Sequence, residues 1–232
     1  MIVSGRNNVK EILKNFSNKN YIKRAICSEN FNEFDILSLV EKAKLPLNRV
    51  KKYDLDKLAK NNHQGIILEV VDFCYTELDD LIKDDTCKLV ILDHLEDTGN
   101  LGAIIRTVEA SGIDGIIIPK NRSVSVNETV MKTSVGALYN VKISQVTNLN
   151  QTIKHLKKLG FWIVGTDMDG DDYKSISYPP KCALIIGSEG FGMSRLVKES
   201  CDYVAKIPMN GKINSLNASV AAGIMIYELI RK

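Results

Sequence analysis

Two loops near the carboxyl end of the chain hold the residue types best suited to binding a ligand. The loop at 187–192 reads GSEGFG and follows an apolar run at 183–186, which predicts a strand. The loop at 208–217 reads PMNGKINSLN and follows a second strand-like run at 203–207. Strand ends that carry glycine loops are common ligand sites in open α/β sheets. The stretch 183–227 therefore predicts a ligand site.

The glycine spacing in the first loop argues against the common nucleotide cofactors. GSEGFG does not match G-x-G-x-x-G, and it lacks the G-K-[ST] of a phosphate-binding P-loop. A dinucleotide fingerprint would also lie near the first strand of its unit, whereas this loop lies near the last. For the glycines alone, an ordinary strand-to-helix turn remains the better interpretation.

Composition indicates a globular protein in a reducing compartment. Hydrophobic residues make up 44% of the chain and charged residues 25%, and no apolar run approaches the roughly 20 residues that cross a bilayer. The first residues, MIVSGRNNVKEIL, lack the apolar core of a signal peptide. The five cysteines are scattered and odd in number, which favours reduced thiols over a disulfide frame. We therefore expect a cytoplasmic protein without a membrane segment.

The charges leave a nucleic-acid partner open. The net charge is only +3, but residues 10–60 are rich in lysine, arginine and asparagine, whereas residues 69–85 are acidic. The basic segment can bind phosphates or can simply form a solvated surface, and composition favours neither.

One histidine stands close to carboxylates. His94 is followed by Glu96 and Asp97, which suggests acid–base chemistry or a metal. No second ligand stands at a usable spacing, so we expect no metal site. A hydrogen-bonded loop histidine is the more common arrangement at a strand end.

Two α/β domains are predicted. Residues 1–72 alternate short strand and helix patterns and form the smaller domain, and the acidic residues 73–87 form a linker with one short helix. Residues 88–232 alternate apolar strands with helical patterns, which predicts a parallel sheet with helices on both faces. The first predicted strands of this domain lie at 88–93, 115–119, 141–146 and 161–166.

Three stretches taken together are more specific than any one of them. They are NLGAIIR at 100–106, IIGSEGFG at 185–192, and IPM at 207–209 followed by SLNAS at 215–219. In this order and at these separations they resemble the three motifs of the SpoU (TrmH-like) family of RNA ribose 2′-O-methyltransferases, within the SPOUT class. The resemblance covers roughly residues 88–232.

The amino-terminal residues extend the resemblance to nearly the whole chain. Ser4-Gly5 with Val9 and Leu13, and His63-Gln64-Gly65, look like the small substrate-binding domain of many family members. Ala218, where many relatives carry valine, is a mild departure from the pattern.

The resemblance implies a fold, a cofactor and an assembly. The expected fold is a carboxyl-terminal α/β domain with a parallel sheet and a deep trefoil knot, preceded by a small α/β RNA-binding domain. The expected methyl donor is S-adenosylmethionine, and the expected assembly is a homodimer with its active site at the subunit interface. Five residues match positions that hold the cofactor in the family: Thr166, Gly187, Ile207, Met209 and Leu216.

Five further residues match catalytic positions of the family: Asn100, Arg106, Glu189, Ser215 and Asn217. Arg106 matches the essential arginine, but a guanidinium group with a pKa above about 12 is a poor base. We expect it to bind an RNA phosphate and to lower the pKa of the hydroxyl group, while the proton passes to a phosphate or water. Helix capping is the alternative role for Asn100 and Asn217.

Basic residues then become candidates for RNA contact. They are Arg6, Lys10, Lys19, Lys23 and Arg24 in the amino-terminal domain, with weaker support for Arg122 and Lys132. The predicted function is S-adenosylmethionine-dependent methylation of a ribose 2′-hydroxyl, on a guanosine of large-subunit ribosomal RNA. The alternatives are a tRNA ribose methyltransferase and a non-catalytic RNA-binding factor of ribosome assembly.

Overall fold

The computed structural model describes residues 1–15, 21–59 and 62–231. These residues divide into two compact units, and the first is discontinuous in sequence. It contains residues 1–74 together with 126–139. The second contains residues 75–125 and the chain from 140 onward.

The first unit has a four-stranded sheet with helices. Its strands are β1 (Ile2–Ser4), β2 (Ile22–Ser28), β3 (Leu47–Val50) and β4 (Ile66–Val70), and its helices are α1 (Arg6–Asn15), α2 (Phe34–Lys42), α3 (Lys52–Leu58) and α5 (Glu128–Thr133). The sheet order is β1-β4-β2-β3, with β4 antiparallel to both β1 and β2, and β2 parallel to β3.

Residues 126–139 belong to this first unit, although the sequence analysis placed them in the second domain. The ring of Tyr139 stacks on that of Tyr21 with centroids 4.1 Å apart, and its hydroxyl donates a hydrogen bond to the Val71 carbonyl over 2.7 Å. Sequence order could not reveal this arrangement, because the segment packs on residues that are more than sixty positions earlier in the chain.

The second unit is built on a six-stranded parallel sheet. Its strands are β5 (Cys87–Leu92), β6 (Gly115–Pro119), β7 (Ile143–Val146), β8 (Trp162–Asp172), β9 (Lys181–Ile186) and β10 (Tyr203–Lys206), and its helices are α4 (Thr98–Ser111), α6 (Leu149–Lys158), α7 (Arg195–Glu199) and α8 (Ala218–Leu229). The order is β10-β8-β9-β5-β6-β7, and every pairing is parallel. The predicted α/β class with a parallel sheet is therefore confirmed.

The centre of this sheet is apolar on both faces. Leu89, Val90, Ile91 and Leu92 of β5 are all fully buried. Strands that are covered on both faces consist of continuous apolar runs, and for this reason the sequence predicted them. This rigid centre carries the loops that follow β5 and β9 at one edge.

Two segments differ from the sequence-based expectation. The strand predicted at 161–166 ends before the acidic residues that follow it, but β8 continues to Asp172 because Asp171 and Asp172 pair with β10 after a shift in register. The predicted linker 73–87 is not a free tether, since its 3₁₀ helix Leu78–Leu81 places Leu81 in the core of the second unit. In both segments a long-range contact, strand pairing in one and side-chain burial in the other, determines the structure despite the acidic composition.

Candidate active site

Three loops of the second unit leave the same edge of the sheet. They follow the carboxyl ends of β5, β9 and β10. Strands β5 and β9 are parallel neighbours, with Leu92 opposite Ile186, so the loops at 93–97 and 187–192 start side by side. The edge formed by the carboxyl ends of parallel strands is where such sheets usually bind ligands.

The loop at 187–192 is a tight, closed turn. The Ser188 and Gly192 amides each donate to the other residue's carbonyl over 3.0 Å. A Cβ atom on Gly187 would lie only 2.3 Å from the Gly192 carbonyl carbon, so only glycine fits there. Gly190 and Gly192 have positive φ angles of 85° and 66°, a region that favours glycine. These glycines shape the loop so that Glu189 lies at its tip.

Asn100, Glu189 and Asn217 meet in one hydrogen-bond network. Glu189 Oε1 accepts from Asn100 Nδ2 over 2.9 Å, from Asn217 Nδ2 over 2.7 Å, and from the Ala218 amide over 3.2 Å. Asn217 Nδ2 also donates to Asn100 Oδ1 over 2.9 Å. One carboxylate oxygen thereby ties α4, the 187–192 loop and the first turn of α8 together.

The helix caps explain which groups are available to this network. Asp97, and not Asn100, caps α4, because its Oδ1 accepts from the Asn100 amide over 2.7 Å. The capping alternative for Asn100 is therefore wrong, and its side chain is engaged in the network. Asn217 has both roles at once, since its Oδ1 accepts from the Ser219 and Val220 amides while its Nδ2 donates to Glu189.

A cavity of about 580 Å³ is lined by residues of the 187–192 loop. It contains every residue that the sequence analysis assigned to the cofactor, and it also contains Glu189, Ser215 and Asn217. The residues assigned to the cofactor are Thr166, Gly187, Ile207, Met209 and Leu216.

One end of this cavity carries a charged pair. Asp167 lines the cavity and forms an ion pair with Lys198, whose Nζ lies 3.0 Å from Asp167 Oδ2. The hydrogen bond to Asp167 raises the pKa of the Lys198 ammonium group, so the lysine stays charged. The cavity therefore offers apolar side chains for a flat aromatic group and carboxylates for a cation.

A second cavity, of about 990 Å³, is also lined by residues of this loop. Its lining includes Asn100 and Arg122, and it shares Ser188, Glu189 and Phe191 with the first cavity. The two cavities therefore adjoin at the loop that carries Glu189. Two adjoining cavities suit a reaction between two substrates.

The second cavity is also lined by His94, which the sequence placed near Glu96 and Asp97, but the carboxylate that it contacts is Asp93. His94 has a positive φ of 58°, and its Nδ1 lies 2.5 Å from Oδ1 of Asp93, which is fully buried. Asp93 Oδ2 accepts from the Ser194 amide over 2.7 Å. A non-glycine residue in this conformation costs roughly 1–3 kcal/mol. The sequence did not predict Asp93 as the partner of His94, because the contact accompanies the backbone turn at His94.

Arg106 lies apart from this network within one chain. It is exposed on α4 and lines neither cavity. Arg106 comes six positions after Asn100 in the helix, which places it roughly 9 Å further along the axis and on another face. Its guanidinium group has no ion pair among the residues that the structure describes.

Several of the basic residues proposed for RNA contact are paired with carboxylates of their own unit. Arg6 pairs with Glu33 at 2.8 Å, Lys10 with Asp35 at 2.8 Å, and Arg24 with Glu69 at 2.7 Å. Arg122 instead lines the larger cavity. Lys19 lies outside the described residues.

Within the described ranges, no group of three or more histidine, cysteine, aspartate or glutamate side chains is arranged to hold a metal ion. The same residues contain no helix that is long and apolar enough to span a membrane.

Comparison with known proteins places this arrangement in a family. Residues 88–227 match the SpoU rRNA methylase family, and residues 2–75 match the model for RNA 2′-O ribose methyltransferase substrate binding. The chain belongs to the SpoU rRNA methylase family, and the predicted family is confirmed. It is an RNA methyltransferase of the TrmH/SpoU type.

Individual relatives cover the whole chain. A protein of Staphylococcus haemolyticus that is described as a TrmH family tRNA/rRNA methyltransferase is 45% identical over 240 residues, which span 100% of this chain and 96% of the relative. The SpoU methyltransferase AviRb of Streptomyces viridochromogenes has the same fold, with a TM-score of 0.77 at 23% identity over 99% of this chain and 88% of its own.

A third comparison concerns the cofactor. An rRNA methyltransferase of Sinorhizobium meliloti, solved with AdoMet bound, matches with a TM-score of 0.73 at 25% identity over 98% of this chain and 85% of its own. The prediction of S-adenosylmethionine is thereby confirmed for the family. The apolar and carboxylate lining of the 580 Å³ cavity fits this molecule, which combines a flat adenine with a cationic sulfonium centre.

Proposed function

We propose that this protein methylates a ribose 2′-hydroxyl of RNA with S-adenosylmethionine, and that its acceptor is a guanosine of large-subunit ribosomal RNA. The observation that carries the proposal is that two cavities adjoin at the loop held by Asn100, Glu189 and Asn217. The smaller cavity is assigned to the methyl donor and the larger one to the acceptor nucleotide.

Bound S-adenosylmethionine supplies an electrophilic methyl group on a sulfonium sulfur. The task of the chain is to hold donor and acceptor in line, since positioning can supply much of the acceleration. We assign Glu189 to fixing the 187–192 loop against α4 and α8, because three donors converge on its Oε1 atom. Ser215 lines the donor cavity and is assigned to positioning there.

We assign Arg106 to the acceptor site of a second copy of the chain. Its exposure and its distance from its own cavities support this assignment. Helix α8 is apolar around its circumference and leaves Val220 and Tyr227 about half exposed, as expected of a face that a second subunit covers. A homodimer with composite active sites is therefore part of the proposal.

The deep trefoil knot is part of the same proposal. The chain pairs β10 with β8 at one edge of the sheet and then returns, so that α8 packs on α4 and β9 near its centre. This return path supports a passage of the carboxyl-terminal segment beneath an earlier loop. The five free cysteines support a cytoplasmic location, because the cytoplasm keeps thiols reduced.

Methyl mapping tests the acceptor. Unmodified 23S ribosomal RNA and tRNA transcripts are incubated with the protein and labelled donor, and the methylated ribose is located by primer extension and mass spectrometry. Label on a 2′-oxygen of ribosomal RNA is expected. Label in tRNA alone would favour the second candidate, a tRNA ribose methyltransferase; the name of the staphylococcal relative includes both RNAs. No label in either RNA would leave a non-catalytic RNA-binding factor.

Arg106→Ala tests the composite site. Methylation is expected to be abolished, because the guanidinium group that binds the phosphate is lost, while donor affinity measured by calorimetry stays at the wild-type value. Arg106→Lys is the matched control, and partial activity is expected because it keeps the charge but loses the planar fork of donors. An Arg106→Ala protein that still methylates RNA would show that the assignment is wrong.

A further inference from the structure

Phe191 lies where the two cavities adjoin. It is 93% exposed, and it lines both the donor cavity and the larger cavity. A single exposed phenylalanine is ordinary on a protein surface. The position of this one is distinctive, because the residues that line both cavities are Ser188, Glu189, Phe191 and Gly192, and of these Phe191 carries the aromatic ring.

The backbone around Phe191 is well constrained. The residue lies between Gly190 and Gly192, whose φ angles are positive, inside the turn that Ser188 and Gly192 close with two hydrogen bonds. Glu189 of the same turn is bonded to α4 and α8. A binding group that is positioned before its ligand arrives loses little conformational entropy on binding. The exposed ring is therefore a preorganised apolar surface.

The rest of the larger cavity suits the backbone of RNA. Arg122 and Arg195 line it, and both are exposed. Arg195 lies 3.5 Å from Glu199, but an exposed ion pair of this kind contributes little, so its guanidinium group can bind a phosphate. Among the carboxylates of the lining, Glu96 is exposed, and three already accept hydrogen bonds within the chain: Asp93, Asp97 and Glu189.

Building on the proposed function, we propose that the base of the acceptor nucleotide stacks on the ring of Phe191, while Arg122 and Arg195 bind the adjacent phosphates. The ribose that receives the methyl group has to lie where the donor and acceptor cavities adjoin, and Phe191 lines both. Proteins commonly recognise unpaired RNA by stacking its bases on aromatic side chains. The acceptor nucleotide is therefore unpaired when it is bound.

A double-mutant cycle tests this contact by binding alone. The protein is wild type or Phe191→Ala, and the RNA carries at the mapped acceptor position either its normal base or a ribose without a base. Fluorescence anisotropy measures the four dissociation constants. With the normal RNA, Phe191→Ala should bind about 5–150-fold more weakly, the usual effect of one base stacked on an aromatic side chain. With the abasic RNA the two proteins should bind alike, because the partner of the ring is absent.

The same cycle at the two flanking nucleotides shows which base is stacked. Removing the base on either side of the acceptor should leave the effect of Phe191→Ala unchanged. If the effect disappears at a flanking nucleotide and persists at the acceptor, the assignment to the acceptor base is wrong.

Two further variants separate stacking from a simple apolar contact. Phe191→Tyr keeps the ring and should bind the normal RNA as tightly as wild type. Phe191→Leu keeps an apolar side chain without the ring, and most of the affinity lost in Phe191→Ala should be lost here too. Wild-type affinity in Phe191→Leu would rule out stacking.

Ile213→Ala is the matched control. Ile213 is 70% exposed in a loop of the same unit, but it lines neither cavity. Its replacement should change neither the affinity for the normal RNA nor that for the abasic RNA. An equal loss of affinity in Ile213→Ala would show that any exposed apolar side chain of this region has the same effect, and the proposal would fail.

The outcomes separate this inference from the proposed function. If the wild-type protein transfers no methyl group to RNA, the proposed function fails and the inference fails with it. If the wild-type protein is active and Phe191→Ala binds the normal RNA equally well, only the stacking contact is refuted. A raised Kd for S-adenosylmethionine with unchanged RNA affinity would instead make Phe191 part of the donor site. Loss of the homodimer in sedimentation would make it part of the subunit interface, and either result overturns the proposal.

Discussion

At the scale of single residues, Glu189 holds together three separate parts of the second unit. Its Oε1 accepts from α4 through Asn100, and from the first turn of α8 through Asn217 and Ala218. Asn100 is only 7% exposed, so its amide has little water to replace a lost partner. The network therefore depends on the amide of Asn100 being a donor.

Asn100→Asp tests this dependence. The substitution replaces the Nδ2 donor, 2.9 Å from Glu189, with a second carboxylate oxygen. We expect the free energy of unfolding to fall by about 1–3 kcal/mol, the usual cost of an unsatisfied buried polar group. Chemical denaturation followed by circular dichroism measures the change.

Asn148→Asp is the control for that prediction. Asn148 caps α6, where its side-chain oxygen accepts from the Gln151 amide, and aspartate accepts equally well. The free energy of unfolding of Asn148→Asp should stay near the wild-type value. Equal stability of both variants and the wild type would mean that the network contributes nothing to folding.

The sequence predicted part of this residue-scale arrangement. The motif resemblance selected Asn100, Glu189 and Asn217, and the structure brings their side chains within hydrogen-bonding distance of one another. Spacing alone could not have predicted contacts between residues that lie 89 and 117 positions apart in the sequence. The sequence drew attention to His94, but its pairing with Asp93 was not predicted, because the contact accompanies a positive φ angle at His94. The same resemblance selected Arg106, but Arg106 lines neither cavity of its own chain.

At the scale of elements, the buried strands were the most predictable part of the fold. Strands β5, β6 and β9 are continuous apolar runs covered on both faces, so composition alone located them. The extension of β8 and the packing of Leu81 were missed, because pairing and burial there act on acidic segments. Local composition does not report such long-range contacts.

Gly187→Ala is a prediction about one element, the 187–192 loop. The added Cβ would lie 2.3–2.6 Å from backbone atoms of Gly192 and Met193, which cannot move aside as a flexible side chain would. We expect a loss of about 1–3 kcal/mol in the free energy of unfolding, as for overpacked cores, and weaker binding of S-adenosylmethionine.

Gly211→Ala is the matched control, because nothing lies within 4 Å of the Cβ position there. Denaturation and calorimetric titration of both variants check the prediction. Wild-type donor affinity in Gly187→Ala would show that the loop can shift without harm to the donor cavity.

At the scale of the whole molecule, the proposed homodimer makes a prediction of its own. If each site combines Arg106 of one subunit with the network of the other, two inactive variants should complement each other. A heterodimer of an Arg106→Ala subunit and an Asn217→Ala subunit, co-expressed with two different tags, has one intact site of two. We expect roughly half of the wild-type activity per dimer.

Both homodimeric variants should be inactive under the same conditions. Sedimentation equilibrium checks the assembly of each preparation. An inactive heterodimer of correct mass would place Arg106 in the site of its own subunit, and a monomeric wild-type protein would remove the composite site altogether.

The discontinuity of the first unit has a consequence for synthesis of the protein on the ribosome. Tyr139 packs on Tyr21 and bonds to Val71, and burial raises the pKa of its hydroxyl to about 12. The nascent chain acquires this contact only after β5, α4 and β6 have been translated. The amino-terminal unit is therefore completed while part of the catalytic sheet is already outside the exit tunnel, and the two units mature in an interleaved order rather than one after the other.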